Sequence, residues 1–152
     1  MQLTQFTDYA LRTLVYISRT PEQFATISEI SDYFDISRNH LVKIVHHLAT
    51  HKVIVTTRGK NGGIRLARAP NEIIIGQVVR ITEQNQDVVE CFNQEKNTCV
   101  ITPGCRLQKV FLEAHHAFLA VLDNYTLDDA LSGNVDIQIL RQYKKEPVKR
   151  AQ

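Results

Sequence analysis

Phe6, Ala10, Leu14 and Ile17 recur at three- and four-residue intervals in TQFTDYALRTLVYISR, which predicts an amphipathic helix over residues 4–19. Thr4 is placed to cap its start, and Pro21 marks its end. The next stretch, TISEISDYFDISRNHLVKIVHHLATH, opens with Thr26 and Glu29 at capping-box spacing. Ile27, Ile30 and Phe34 line one face of a short helix, and Asp35 and Ile36 make a tight turn. Ser37 then caps a second helix running to about Thr50, with Leu41, Ile44, Val45 and Leu48 as its buried stripe. The opposite side carries Asn39, Lys43, His46 and Thr50, with Ser37, Arg38 and His40 toward the N-terminal tip. Short helix, brief turn and longer helix with a polar outer face make a helix-turn-helix, and Ser28 of the first helix joins Ser37, Arg38, Asn39, His40, Lys43 and His46 as a candidate nucleic-acid contact. An ordinary helical hairpin is the plainer alternative.

The following segment favours the first reading. KVIVTTRGKNGGIRLARAP predicts two strands, Val53–Thr57 and Ile64–Ala67, around a turn in which Asn61-Gly62-Gly63 supplies positive φ angles. Arg58 and Lys60 sit at its tip. A basic hairpin directly after a helix-turn-helix is a wing, and the two together predict DNA binding. IIIGQVVRITE then reads as a brief strand and a helix packing back on the winged unit.

Beyond residue 105 the pattern changes. Leu107, Val110, Phe111, Ala114, Ala117, Phe118, Val121, Leu122 and Tyr125 form one continuous stripe, a coiled-coil-like seam about five turns long. Such a face outside the winged unit predicts a homodimer interface built on Leu107, Val110, Phe111, Ala114, Phe118, Val121 and Leu122; packing against the chain's own domain is the alternative. YTLDDALSG adds a short helix capped by Thr126 with Asp129, and from about Asn134 a polar, basic tail is expected to be disordered. The expected fold is mainly α with a small β-hairpin wing. Residues 1–83 form a winged helix-turn-helix, 84–106 a cysteine loop, 105–132 a dimerisation helix and short capping helix, and 133–152 the tail.

Charge sharpens the picture. From Ser37 to Arg68 the chain has seven basic residues (Arg38, Lys43, Lys52, Arg58, Lys60, Arg65, Arg68), four histidines and no Asp or Glu. The formal net charge is +2; the tail from Arg141 contributes five cations against Glu146, or +4, leaving −2 for residues 1–140. The basic block is therefore local, as a phosphate-contacting face requires, although a solvated charged face is the bland reading. No run is long and apolar enough for a membrane span, and MQLTQFTDYA lacks the features of a signal peptide. A cytoplasmic location follows, where clustered cysteines are more often metal-binding or redox-active than disulfide-bonded.

All three cysteines fall in CFNQEKNTCVITPGC, spaced Cys91-x7-Cys99-x5-Cys105. Structural zinc favours two- to four-residue gaps, so it fits poorly. His115 and His116 begin ten residues beyond Cys105 along a helix, roughly 15 Å away, too far to complete the set. Iron–sulfur clusters use thiolates and accept other fourth ligands, and the Pro103-Gly104 turn suits a wrapping loop. An enzyme or electron carrier is the rival class, but the chain has no phosphate loop, nucleophile motif or second cofactor signature.

LTQFTDYALR, SRNHLVKIVHHL, RGKNGGIRLA, ITPGCRL and FLAVLDNYTLDD resemble the winged-helix iron–sulfur transcriptional regulators, over residues 1 to about 131. The resemblance is nearer to the branch of nitric-oxide-sensing repressors than to the regulators of cluster assembly, which remain the alternative. It implies a homodimer, an AT-rich inverted-repeat operator in double-stranded DNA, and one iron–sulfur cluster per subunit, 2Fe–2S or 4Fe–4S. Nitric oxide would be the signal, acting on the cluster to weaken DNA binding and release nitrosative-stress genes. The assembly branch places a histidine one turn after the last cysteine and spaces its cysteines evenly, whereas this chain has Gln108 and the x7/x5 pattern. The nitric-oxide-sensing branch associates an N-terminal aspartate of the other subunit with the fourth ligand position, which Asp8 matches. A carboxylate in a helix's first turn is also favoured by the dipole alone, and water or a thiol are the other candidate ligands.

Overall fold

A computed structural model describes residues 2–20, 24–59, 62–83 and 87–132. Helix α1 (Gln5–Arg19) starts at Thr4, whose hydroxyl accepts the Thr7 N–H at 3.3 Å. Strand β1 (Phe24–Ala25) leads into α2 (Ile27–Phe34), and the Thr26–Glu29 capping box forms as the spacing predicts. Asp35 ends α2 in the left-handed region, at φ 56° and ψ 44°. Aspartate tolerates that region better than most residues. The Ser31 hydroxyl donates to the Ile36 carbonyl at 2.7 Å, stitching the turn before α3 (Arg38–Thr50) begins. Ser37 stands at the N-cap position of α3, yet its hydroxyl makes no capping bond.

Strands β2 (Ile54–Thr57) and β3 (Gly63–Leu66) form the hairpin, in register from Ile54 opposite Leu66 to Thr57 opposite Gly63. Sequence pattern misses β1, which pairs antiparallel with the free edge of β3 and gives the order β1-β3-β2. Two residues are too few to show an alternation. The predicted strand ends shift as well. Lys52 turns the chain at φ 57°, so Val53 lies outside β2, although its carbonyl accepts the Ala67 N–H at 3.0 Å.

A 3-10 turn (Pro70–Glu72) precedes α4 (Ile75–Thr82). The brief strand expected before α4 is reduced to one bridge, Ile74 with Thr126, flanked by Ile75 N–H to Tyr125 carbonyl (2.9 Å) and Leu127 N–H to Ile73 carbonyl (2.8 Å). Its partner lies some fifty residues along the chain, so local pattern could not reveal it. After the cysteine segment come α5 (Arg106–Asp123) and α6 (Leu127–Leu131), the latter with the predicted Thr126–Asp129 capping box.

The core gathers Leu14, Tyr16 and Ile17 of α1, Ile30 of α2, Leu41, Ile44 and Leu48 of α3, Ile54 of β2 and Val78 of α4. Burying each of these large side chains contributes about 1.5–3 kcal/mol. Leu127 of α6 is fully buried in the same cluster, so the capping helix packs into the unit expected to end at residue 83. The described helices include none long and apolar enough to cross a membrane. The expectation for residues 133–152 lies outside the described residues.

Candidate nucleic-acid interface and cysteine loop

The outer face of α3 is exposed at Arg38, Asn39, His40, Lys43 and His46, while Leu41, Ile44, Val45 and Leu48 face the core. Two contacts fix the N-terminal end. The Arg38 guanidinium donates to the hydroxyl of half-buried Ser28 on α2, and the His40 ring meets the Tyr9 ring of α1 edge-on at 6.1 Å. Ser37 is exposed at the same tip. Sequence reasoning missed Val42, which is 50% exposed and stands one turn from both Arg38 and His46 on the helix surface. Its position off the buried stripe was the available signal. An exposed apolar residue on such a face suits a thymine methyl group.

At the wing, Arg58 is exposed and Gly59 takes φ +111°, with the Gly62 N–H closing back on the Gly59 carbonyl at 2.8 Å. The positive φ expected at Gly62 and Gly63 is found at Gly59 instead. Gly62 and Gly63 are glycine for space. A Cβ on Gly62 would meet the Thr57 carbonyl, and one on Gly63 would meet the Phe24 ring and the Ala25 carbonyl oxygen, the latter at 2.7 Å. The pairing of β1 against β3 creates that crowding, and the sequence gives no sign of β1. Lys60 and Asn61 lie outside the described residues.

The segment between α4 and α5 holds Cys91 and Cys105 half-buried and Cys99 exposed, all three free thiols. A 3-10 turn (Glu90–Phe92) carries Cys91, and Cys105 is the residue before α5. Thr98 donates to the Glu90 carboxylate through its amide (2.6 Å) and its hydroxyl (2.7 Å). These two bonds, the hydroxyl's first, hold the Glu90 carboxyl below its ordinary value. The Gln108 side-chain amide donates to the Cys91 carbonyl at 2.8 Å. Three unpaired thiols on one polar loop fit an iron–sulfur cluster in donor chemistry. Among the described residues of one chain, however, no three His, Cys, Asp or Glu side chains stand together as an ion site. Asp8 is engaged within its own helix, where Arg12 holds both carboxylate oxygens at 3.0 and 2.6 Å.

On α5, Leu107, Val110, Phe111 and Val121 are exposed, Leu107 at 61% and Val110 and Val121 at 55%, and Ala114 is exposed with them. Leu112, outside the predicted stripe, is exposed too. The stripe is not one face. Phe118 and Leu122 are half-buried beside Leu119, which is buried, on a helix that packs against α4 through the bidentate Arg80–Asp123 pair at 2.5 and 2.6 Å. In the C-terminal half only the side carrying Phe118, Leu119 and Leu122 turns inward, while Val121 and Tyr125 stay exposed.

The chain matches the Rrf2 family, described as iron-dependent transcriptional regulator, over residues 3–133. It is 47% identical over 145 residues to the HTH-type transcriptional regulator NsrR of Shouchella clausii, covering 95% of this chain and 97% of the relative. The NsrR of Geobacillus kaustophilus is 49% identical over 146 residues (95% and 99%), and that of Bacillus subtilis 44% over 146 residues (95% and 100%). Among solved structures, oxidized CymR of Staphylococcus aureus superposes with a TM-score of 0.68 at 22% identity, covering 88% of this chain and 98% of that one. IscR of T. potens gives 0.65 at 17% identity, covering 100% and 93%. These two share the winged-helix fold.

Proposed function

The chain belongs to the Rrf2 family and is a transcriptional regulator rather than an enzyme, and from that premise we propose that it is a homodimeric, nitric-oxide-sensitive repressor. The observation that carries the reading is the loop: all three cysteines of the chain are free and lie on the one segment joining α4 to α5. The NsrR relatives and the family's iron-dependent description support it.

In this reading Asn39 and Lys43 enter the major groove of an AT-rich inverted repeat and read base edges, with Val42 against a thymine methyl. Arg38, held by Ser28, and Ser37, His40 and His46 lie along the groove walls near the phosphates. Arg58 and the Lys60–Gly63 tip reach the adjacent minor groove or backbone. The acid-free run from Ser37 to Arg68 favours the polyanion over its whole length. Exposed Leu107, Val110, Phe111, Ala114 and Val121 bury against a second copy. Cys91, Cys99 and Cys105 hold an iron–sulfur cluster, 2Fe–2S or 4Fe–4S, which supplies iron open to nitric oxide when bound. Asp8 of the second subunit is the fourth donor; it must give up part of its Arg12 pair to serve. A carboxylate would be a poorer donor to such iron than thiolate, so Asp8 would be the ligand held least firmly.

The test uses anaerobically purified, full-length protein. Absorption and Mössbauer spectra should report a cluster, and electrophoretic mobility shifts should report binding to an AT-rich inverted repeat. Nitric oxide should bleach the cluster and release the DNA over the same range of additions. Unchanged DNA binding after complete bleaching would overturn the sensor reading.

A further inference from the structure

Gln108 stands one helical turn after the last cysteine, and its amide reaches back to the carbonyl of the first, at 2.8 Å. Cys91 is thereby tied to the start of the helix that follows Cys105. A second link crosses the loop eight residues apart. Glu90, immediately before Cys91, accepts two hydrogen bonds from Thr98, immediately before Cys99, at 2.6 and 2.7 Å. The Glu90–Thr98 pair thus links the residues immediately before Cys91 and Cys99, and the Gln108 bond links Cys91 itself to the first turn of the helix that Cys105 precedes.

Neither contact is needed to cover a core. No residue from Glu90 to Cys105 belongs to the buried cluster, and Glu90, Thr98 and Cys99 are exposed. A loop this polar and irregular loses conformational freedom when ordered, and a metal site formed on it must meet that cost unless the loop is already arranged. We propose that Gln108 and the Glu90–Thr98 pair are positioning residues that set the spacing of the three thiols before iron arrives, with Gln108 acting as a backbone donor rather than as a ligand. This rests on the reading of the loop as a cluster site.

The experiment compares the full-length parent with Gln108→Glu, Gln108→Lys and Thr98→Val. Glutamate has the shape of glutamine, but when ionised it only accepts hydrogen bonds; lysine keeps a donor of similar reach. Valine keeps the shape of threonine and removes its hydroxyl. In reduced, cluster-free protein, alkylation of each cysteine by iodoacetamide is timed and read by mass spectrometry. The same proteins are then reconstituted anaerobically, and iron, sulfide and the absorption spectrum are measured. Circular dichroism confirms that the helical fold is kept.

Gln108→Glu and Thr98→Val should alkylate faster at Cys91 or Cys99 and retain less cluster, each on the order of three- to tenfold, the equilibrium worth of about one solvent-exposed hydrogen bond. Gln108→Lys should stay near the parent in both readouts, which a role in packing alone would not produce. Parent-like rates and cluster content in Gln108→Glu and Thr98→Val overturn the proposal, as does a Gln108→Lys variant that fails as badly as Gln108→Glu. A parent that takes up no iron and sulfide overturns the cluster reading instead, and the alkylation rates then decide the two clamps by themselves.

Discussion

The imidazole Nε2 of His47, on α3, lies 2.6 Å from the carbonyl oxygen of Ile81 in the last turn of α4. A carbonyl only accepts, so this nitrogen carries the proton. The same turn of α4 is held from the other side by α1: the Thr7 hydroxyl donates to that of Thr82 at 2.9 Å, and Thr4 donates to Glu83 through its amide (2.8 Å) and its hydroxyl (3.0 Å). The Phe6 ring packs edge-on against His47 at 5.4 Å. The helix α3, the helix that bears Asp8 and the stem of the cysteine segment therefore meet within a single turn.

Replacing His47 with alanine should leave the Ile81 carbonyl without that donor and cost about 1–3 kcal/mol of unfolding free energy. Glutamine keeps an N–H of comparable reach and should recover part of the loss. Urea denaturation of the three proteins checks this; equal midpoints for alanine and parent would show that the bond contributes nothing to stability.

Asn39→Ala should weaken operator binding by roughly 1–3 kcal/mol while leaving random-sequence binding nearly unchanged, because a base contact carries the discrimination. Arg58→Ala should act differently, reducing the slope of log affinity against log salt by about one unit on any sequence. Fluorescence-anisotropy titrations across a salt series separate the two, and a matching loss on operator and random DNA would reduce Asn39 to a backbone contact.

Gly63→Ala should destabilise the protein by about 1–3 kcal/mol through overpacking, since the new methyl meets the Phe24 ring and the Ala25 carbonyl. Gly59→Ala meets no neighbouring atom but must hold φ +111°, so its cost is backbone strain, about 1–3 kcal/mol. Combining Gly63→Ala with Phe24→Ala should recover only the part of the first cost that comes from the ring, because the Ala25 carbonyl stays in place, and none of the second. Thermal melts of the single and double variants test the assignment.

Val110→Glu with Val121→Glu should yield a monomer in sedimentation velocity, because two exposed apolar positions of α5 would become charges facing their copies. Circular dichroism should stay close to the parent's, as neither residue belongs to the core. A persistent dimer would move the interface off this face.

The α6 capping box should weaken in acid. Hydrogen bonds from the Thr126 hydroxyl, then its amide, hold the Asp129 carboxyl below its ordinary value of 3.8, so the ionised form is bound more tightly in the folded state. That contribution is complete above 3.8 and is lost as pH falls through the lower folded value. Asp129→Asn should therefore melt below the parent at neutral pH, and the gap should close as pH drops below 3.8. A gap that is constant from pH 7 to 3 would assign the effect to something other than ionisation.

Local periodicity made much of this protein legible. The stripe Leu41, Ile44, Val45 and Leu48, the Thr26–Glu29 cap and the Asp35 turn are written within a few residues of one another, and each appears where the pattern puts it. What escaped was non-local. β1 exists because β3 offers an edge forty residues away, the reason for Gly63 is a ring contributed by that strand, and Ile74 pairs with Thr126. The seam on α5 shows a related limit of local pattern: apolar spacing marks a face to be buried without saying whether a partner or the chain's own α4 buries it. In the loop, residue types announced the thiols, but the roles of Glu90, Thr98 and Gln108 emerge only from their hydrogen bonds.

The pairing of Ile74 with Thr126 gives the chain a topology its linear order conceals. The cysteine segment and α5 are an excursion between α4, whose Val78 lies in the core, and α6, whose Leu127 is seated in the same core beside the helix-turn-helix. The cysteine segment and the winged unit are consequently not beads on a string. A chain ending after the cysteines lacks a core side chain, so the DNA-binding half has no complete fold of its own, and a loop clamped at both ends can pass a change of shape inward rather than dissipate it through a free end.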